Sequence, residues 1–277
     1  MQDHGGVIDS IGGSARLARE QVNAVKQAID GGNLISAALE LHEAEALLGT
    51  PETLAGQRVA LDLRLEGATM LQYGGDFAQA RELAEVGVEF ASRHFGLGGI
   101  EVSRARLRWN FALEAERRFQ SALRKNLELD DELAPIPGSQ SLRLNCLTRA
   151  IACAVKNADR ASVREIGFRS ERLREGLKED QHPGVMTWHF FWVAVASLRQ
   201  GRFDDAKALL DHAADIGPRT WRWLNAASFV EGYGLTLERR SRACGLELLS
   251  TARRDAEKRG FYGHVRSIDA GFSGLGI

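Results

Sequence analysis

One short pattern recurs six times along the chain: a turn pair, then a bulky or basic residue, then a small one three positions later. It reads Gly32-Asn33-Leu34-Ile35-Ser36-Ala37, Gly75-Asp76-Phe77-Ala78-Gln79-Ala80 and Arg117-Arg118-Phe119-Gln120-Ser121-Ala122 in the first half. It continues as Ala158-Asp159-Arg160-Ala161-Ser162-Val163, Gly201-Arg202-Phe203-Asp204-Asp205-Ala206 and Glu238-Arg239-Arg240-Ser241-Arg242-Ala243. Successive anchors (Leu34, Phe77, Phe119, Arg160, Phe203, Arg240) stand 43, 42, 41, 43 and 37 residues apart. A near-constant period of this length marks a stacked repeat protein. Each unit then buries its apolar face only against its neighbours.

Between the turns the apolar residues fall at helical spacing. Leu17, Val22, Val25 and Ile29 form one stripe before Gly31-Gly32; Leu34, Ala38, Leu41, Ala44 and Leu48 form the next. Pro51, Pro135-Ile136-Pro137-Gly138, His182-Pro183-Gly184 and Gly217-Pro218 break the chain between helix pairs. No alternating pattern calls for a strand. The expected fold is all-α, a right-handed superhelix of about six antiparallel helix pairs spanning residues 14–270 as one domain. Loose tails are expected at 1–13, which is Gly-rich, and at 271–277.

Gly75-Asp76-Phe77 with Ala80, Gly201-Arg202-Phe203 with Ala206, and Gly32-Asn33-Leu34 with Ala37 carry a resemblance to the tetratricopeptide repeat. Repeats three, four and six lack the glycine, and four and six also lack the aromatic. The period exceeds the family's usual one, which implies longer helices. In that respect the chain is similar to the sensor halves of bacterial transcription regulators. About thirteen residues precede the first repeat, too few for a helix-turn-helix module. The resemblance implies that the first helix of each pair lines a concave, ligand-binding side.

Counting back 15 residues from each anchor gives one row on those helices: Arg19, Asp62, Arg104, Asn145, Trp188 and Asn225. Thr148, Phe191 and Phe111 lie on the next two rows of the same face, since residues three and four apart share a side of a helix. Asn145 and Asn225 carry most weight. A carboxamide both donates and accepts, so it can pair with an extended peptide backbone whatever its side chains. The aromatic run Trp188-His189-Phe190-Phe191-Trp192 suits either packing or an interface. These nine residues are the expected contacts with a protein or peptide. The expected function is a non-catalytic binding module, an adaptor or regulatory subunit. The alternative is a regulatory solenoid that senses a small molecule between Trp188, Phe191, Phe111 and the asparagines.

Charge and motifs narrow the classes further. The net charge is −1 among 36 basic and 37 acidic residues, which argues against direct nucleic-acid binding. The chain shows no H-E-x-x-H, G-x-S-x-G or P-loop, so neither catalysis nor a metal or cofactor is expected. Gly96-Leu97-Gly98-Gly99 follows no strand and reads as a connection. His182 and His189 are two helical turns apart, too far for one metal. Cys146, Cys153 and Cys244 form no C-x-x-C pair and read as buried thiols in a reducing compartment. Met1-Gln2-Asp3-His4-Gly5-Gly6 has neither the basic nor the apolar stretch of a secretion signal, and no long apolar run follows, so a cytoplasmic protein off the membrane is expected. A homo-oligomer is compatible.

Overall fold

The computed structural model describes residues 5–217, 219–237 and 240–274. Among the described residues it holds thirteen α-helices and no strand. They are α1 (Gly5–Asp30), α2 (Leu34–Leu48), α3 (Leu54–Gly74), α4 (Phe77–Phe95), α5 (Ile100–Ala115) and α6 (Phe119–Leu133). There follow α7 (Gln140–Lys156), α8 (Arg160–Arg174), α9 (Pro183–Arg199), α10 (Phe203–Ile216), α11 (Trp221–Leu237), α12 (Arg242–Lys258) and α13 (Tyr262–Gly274). Consecutive helices pair antiparallel, as a helical-repeat solenoid requires.

The repeat is visible in the backbone itself. The first residue of each described turn is left-handed: Gly32 (φ 78°), Gly75 (91°), Arg117 (65°), Ala158 (56°) and Gly201 (77°). Each turn closes with the same pair of hydrogen bonds. In the second, Asp76 N–H donates to Leu71 O (3.0 Å) and Gly75 N–H to Gln72 O (3.2 Å). In the fourth, Asp159 N–H donates to Ala154 O (2.9 Å) and Ala158 N–H to Val155 O (3.2 Å). This double closure satisfies carbonyls that a helix end leaves open. Asn33, Asp76 and Asp159 then cap the following helix, accepting from the amides of Ser36, Gln79 and Ser162. The small residue three positions into that helix is buried in four of these repeats, as Ala37, Ala80, Ala122 and Ala206.

The sixth turn departs from the pattern. Its Glu238-Arg239 and the breaker Pro218 lie outside the described residues. Helix α12 starts at Arg242, two residues beyond the expected anchor Arg240, and Ala243 is exposed. Gly245 takes the small residue's place. A Cβ there would sit 2.6 Å from Gly232 O and 2.7 Å from Thr236 N, so two backbones meet where only glycine fits. Two further boundaries move. Helix α1 begins at Gly5, inside the segment expected to be loose, and α13 reaches Gly274; residues 1–4 and 275–277 lie outside the description.

The chain forms two compact units, residues up to Ala112 together with Lys258–Gly263, and Leu113–Glu257 together with the residues from His264 on. In the first unit, Ala18, Val22, Ala44, Val59 and Leu63 interlock α1, α2 and α3, and Leu61, Leu65, Ala91, Val102 and Ala105 continue the core. No sequence pattern assigns Lys258–Gly263 to this unit. Phe261 is fully buried there, its ring centroid 5.5 Å from that of Tyr73. Arg259 Nη1 donates to Gly31 O (3.3 Å), and a Cβ on Gly263 would meet Gln72 O at 2.7 Å. In the second unit Leu144, Met186, Phe190, Ala213 and Trp223 join α7, α9, α10 and α11.

Candidate functional site

In the N-terminal unit the expected row is a ladder of charges. Asp62 on α3 is buried and accepts from Arg19 on α1 and from Arg104 Nη2 on α5 (2.6 Å). Three residues one repeat apart thus touch in register. The contact satisfies the row internally: the one carboxylate is enclosed, and both guanidiniums are committed to it. Phe111, on the deeper row, is half-buried with Arg108 over its ring at 5.6 Å.

In the C-terminal unit the same face differs. Asn145 on α7 is partly exposed, and its carboxamide makes no hydrogen bond among the described residues. Trp188 on α9 is also partly exposed, with the Arg222 guanidinium 5.0 Å above its ring and Phe191 edge-on at 5.3 Å. The other expected contacts are interior. Phe191 is 5% exposed and packs in the core between α9, α10 and α11.

Thr148 is 1% exposed. Its hydroxyl donates to Leu144 O (2.7 Å) and lies 3.2 Å from His189 Nδ1. The hydroxyl proton being used, His189 Nδ1–H donates to it. Burial pushes the His189 pKa down to about 4, so the ring is neutral.

Asn225 corrects the reading of that residue as a free peptide clamp. It is 6% exposed, its Nδ2 donates to Ala252 O (2.9 Å), and its Oδ1 accepts from His264 Nδ1 (3.1 Å). Burial, then Arg222 and Lys156, hold His264 down to about 4, which keeps it neutral and suited to that bond. Cys244 is likewise exposed where a buried thiol was expected, whereas Cys146 and Cys153 are buried.

The sequence reading missed the group that completes this face. Glu114, on α5, is 2% exposed at its side chain and receives Arg149 Nε (2.9 Å), Arg149 Nη2 and Lys156 Nζ (2.5 Å). Burial alone would push the Glu114 carboxyl up; the two cations outweigh it and hold the pKa below its ordinary value. Lys156 also lies 4.9 Å over Trp192, and Arg149 5.6 Å over the same ring. The Trp192 indole nitrogen is buried with no hydrogen-bond partner among the described residues. Arg149 and Trp192 occupy the same place in successive repeats, 11 residues before Arg160 and Phe203. That row was visible in the spacing but passed over, since only the adjacent row at Thr148 and Phe191 was followed.

The C-terminal face therefore offers fixed cations over two indoles and one uncommitted carboxamide. Burial pushes the neighbouring Cys153 thiol up, and Glu114 adds to that, so it stays protonated. No protein-family model matches the chain, and no curated protein is significantly similar to it.

Proposed function

We propose that the protein is a non-catalytic binding module, of tetratricopeptide type, that captures an extended peptide or partner segment on the first-helix face of its C-terminal unit. The observation that carries this reading is the row Asn145–Trp188 with Trp192. Its indoles are stacked under Arg222, Lys156 and Arg149, and Asn145 keeps its hydrogen-bonding capacity. Trp and Arg are the residue types that dominate interface energetics, and cations over rings favour a ligand carrying carboxylates beside apolar groups. The Arg19–Asp62–Arg104 ladder leaves the N-terminal unit a supporting role.

The test is a peptide array probed with the purified chain, followed by titration of the best binder. Asn145→Ala should keep the unfolding midpoint, and Trp188→Ala, which also trims packing on Phe191, should lower it while leaving the chain folded. Each should weaken binding about tenfold, the loss of one good contact of about 1.4 kcal/mol. Asn225→Ala should instead lower stability by about 2 kcal/mol, because it strands a buried carbonyl and a buried imidazole N–H. Unchanged binding by both Trp188→Ala and Asn145→Ala would remove this face as the working surface.

A further inference from the structure

Helix α8 carries a second surface that the first-helix face does not explain. Arg160, Arg164, Phe168 and Arg172 follow one another at intervals of four, hence along one inclined ridge of the helix that turns about 40° at each step. All four are exposed, Phe168 to 66%. Among the described residues no carboxylate pairs with Arg160, Arg164 or Arg172. Neighbouring arginines behave otherwise: Arg169 pairs with Asp130 and Asp131, Arg143 with Asp130 (2.8 Å), and Arg174 with Glu171 and Glu179. The stripe is thus left unneutralised in a chain whose net charge is −1.

Helix stability alone would not place these residues here. Arg160 and Arg164 are like charges one turn apart, which repel. Both sit in the opening turns of α8, where the positive end of the helix dipole favours acids. Arg160 also holds the place that Leu34, Phe77, Phe119 and Phe203 fill in other repeats. The Arg172 guanidinium lies 4.9 Å over the Phe168 ring, and this pair borders an open hollow of about 340 Å³ with Arg143, Arg169 and Leu173. Arg143 and Arg169, anchored by their acids, form its fixed wall.

We propose that this stripe is a docking site for an acidic amphipathic helix of a partner protein, whose carboxylates meet Arg160, Arg164 and Arg172 while an aliphatic side chain packs on Phe168 and enters the hollow. Residues four apart rise about 6 Å along any α-helix, so acids four apart on the partner match the arginines in step. Exposed acids flank the stripe: Glu165 and Glu171 on α8, and Asp131 on α6. Glu171 and Asp131 are already paired with Arg174 and Arg169, but Glu165 has no basic partner among the described residues. It opposes a continuous phosphate backbone or an anionic membrane, whereas a protein helix can answer it with a lysine.

The site is tested on the full chain with a fluorescein-labelled synthetic helix bearing glutamates four residues apart around a central leucine. Three competitors are run beside it: the same peptide with lysines for glutamates, a single-stranded oligothymidine, and vesicles containing phosphatidylserine. The acidic helix should bind with an affinity that falls as salt rises. The triple variant Arg160→Glu/Arg164→Glu/Arg172→Glu should weaken it at least about tenfold, and Phe168→Ala about tenfold. The helical circular dichroism of both variants should match the parent, and Arg160→Gln/Arg164→Gln/Arg172→Gln serves if the reversal unfolds. Trp188→Ala should leave this binding untouched, which separates it from the first-helix face. Equal binding by parent and triple variant, no binding of the acidic helix, or preference for the oligonucleotide or the vesicles would overturn the proposal.

Discussion

Removing the carboxylate of Glu114 should cost far more than removing that of Asp62, although each is a buried acid holding two bases. The difference lies in what is left behind. Around Glu114 the side chains of Arg149 and Lys156 are 13% and 31% exposed. Around Asp62 both arginine side chains are 40% exposed. Breaking a buried pair costs about 3–5 kcal/mol, because an uncompensated charge remains in a poor solvent. Lys156 can turn toward water and Arg149 keeps the Trp192 face, so Glu114→Ala belongs at about 3 kcal/mol. After Asp62→Ala, Arg19 and Arg104 can swing into solvent, and the loss should be about 1 kcal/mol.

Urea unfolding followed by tryptophan fluorescence suits the comparison, since four of the five tryptophans (188, 192, 221 and 223) lie in the C-terminal unit with Glu114. The triple change Glu114→Leu/Arg149→Met/Lys156→Met should recover most of the Glu114→Ala loss, because all three charges leave together. The sign with pH follows from the lowered Glu114 pKa. Its contribution is present above the unfolded carboxyl value and is lost as pH falls through the folded one. Equal losses for Glu114→Ala and Asp62→Ala, or a triple variant no better than Glu114→Ala, would refute the stranded-charge reasoning.

Acid should also act through His189, whose folded pKa is about 4 against an ordinary 6.5. The folded chain binds fewer protons than the unfolded one in that window, so stability is full above about 6.5 and declines toward pH 4, with His189 accounting for about 3 kcal/mol of the loss. His264, held down to about 4 in the same way, adds a like slope, so His189→Gln should remove about half of the decline across that window, and an unchanged slope would count against a buried neutral ring. At the turns, Arg117→Gly and Ala158→Gly should each raise the unfolding free energy by about 0.5–1 kcal/mol. The left-handed backbone costs a side-chain-bearing residue about 1–2 kcal/mol, and the looser unfolded chain returns part of that gain. Thermal midpoints that fall instead would show that the native side chains supply contacts outweighing the strain.

The repeat, its period and the helix boundaries at the first five turns were legible because they are local. Glycine or a strained residue at each turn, the Asn or Asp cap and the buried alanine act within one helical hairpin. The turn at Ala158 has the same φ sign and hydrogen bonds as the turn at Gly75 although its sequence lacks the glycine. The second link, from row to contact, was half legible. Counting by the period placed Arg19, Asp62 and Arg104 in one line, and they meet. It could not tell that Asp62 would neutralise its neighbours. Nor could it tell that Asn225 would point at Ala252 and His264, residues brought near by α12 and α13 beyond a sixth turn that starts its helix two residues late.

Burial of a polar residue depends on partners far along the chain, and no local rule supplies them. Glu114 reaches its bases 35 and 42 residues away, and Phe261 is buried with Tyr73 across nearly two hundred positions. The sequence by itself therefore determined the hairpin unit and its repetition, since turn chemistry and helical periodicity need only a few neighbouring residues. Tertiary structure alone decided which polar groups are used up inside and which remain available to a partner, because that depends on long-range packing and on the charge each side chain meets there.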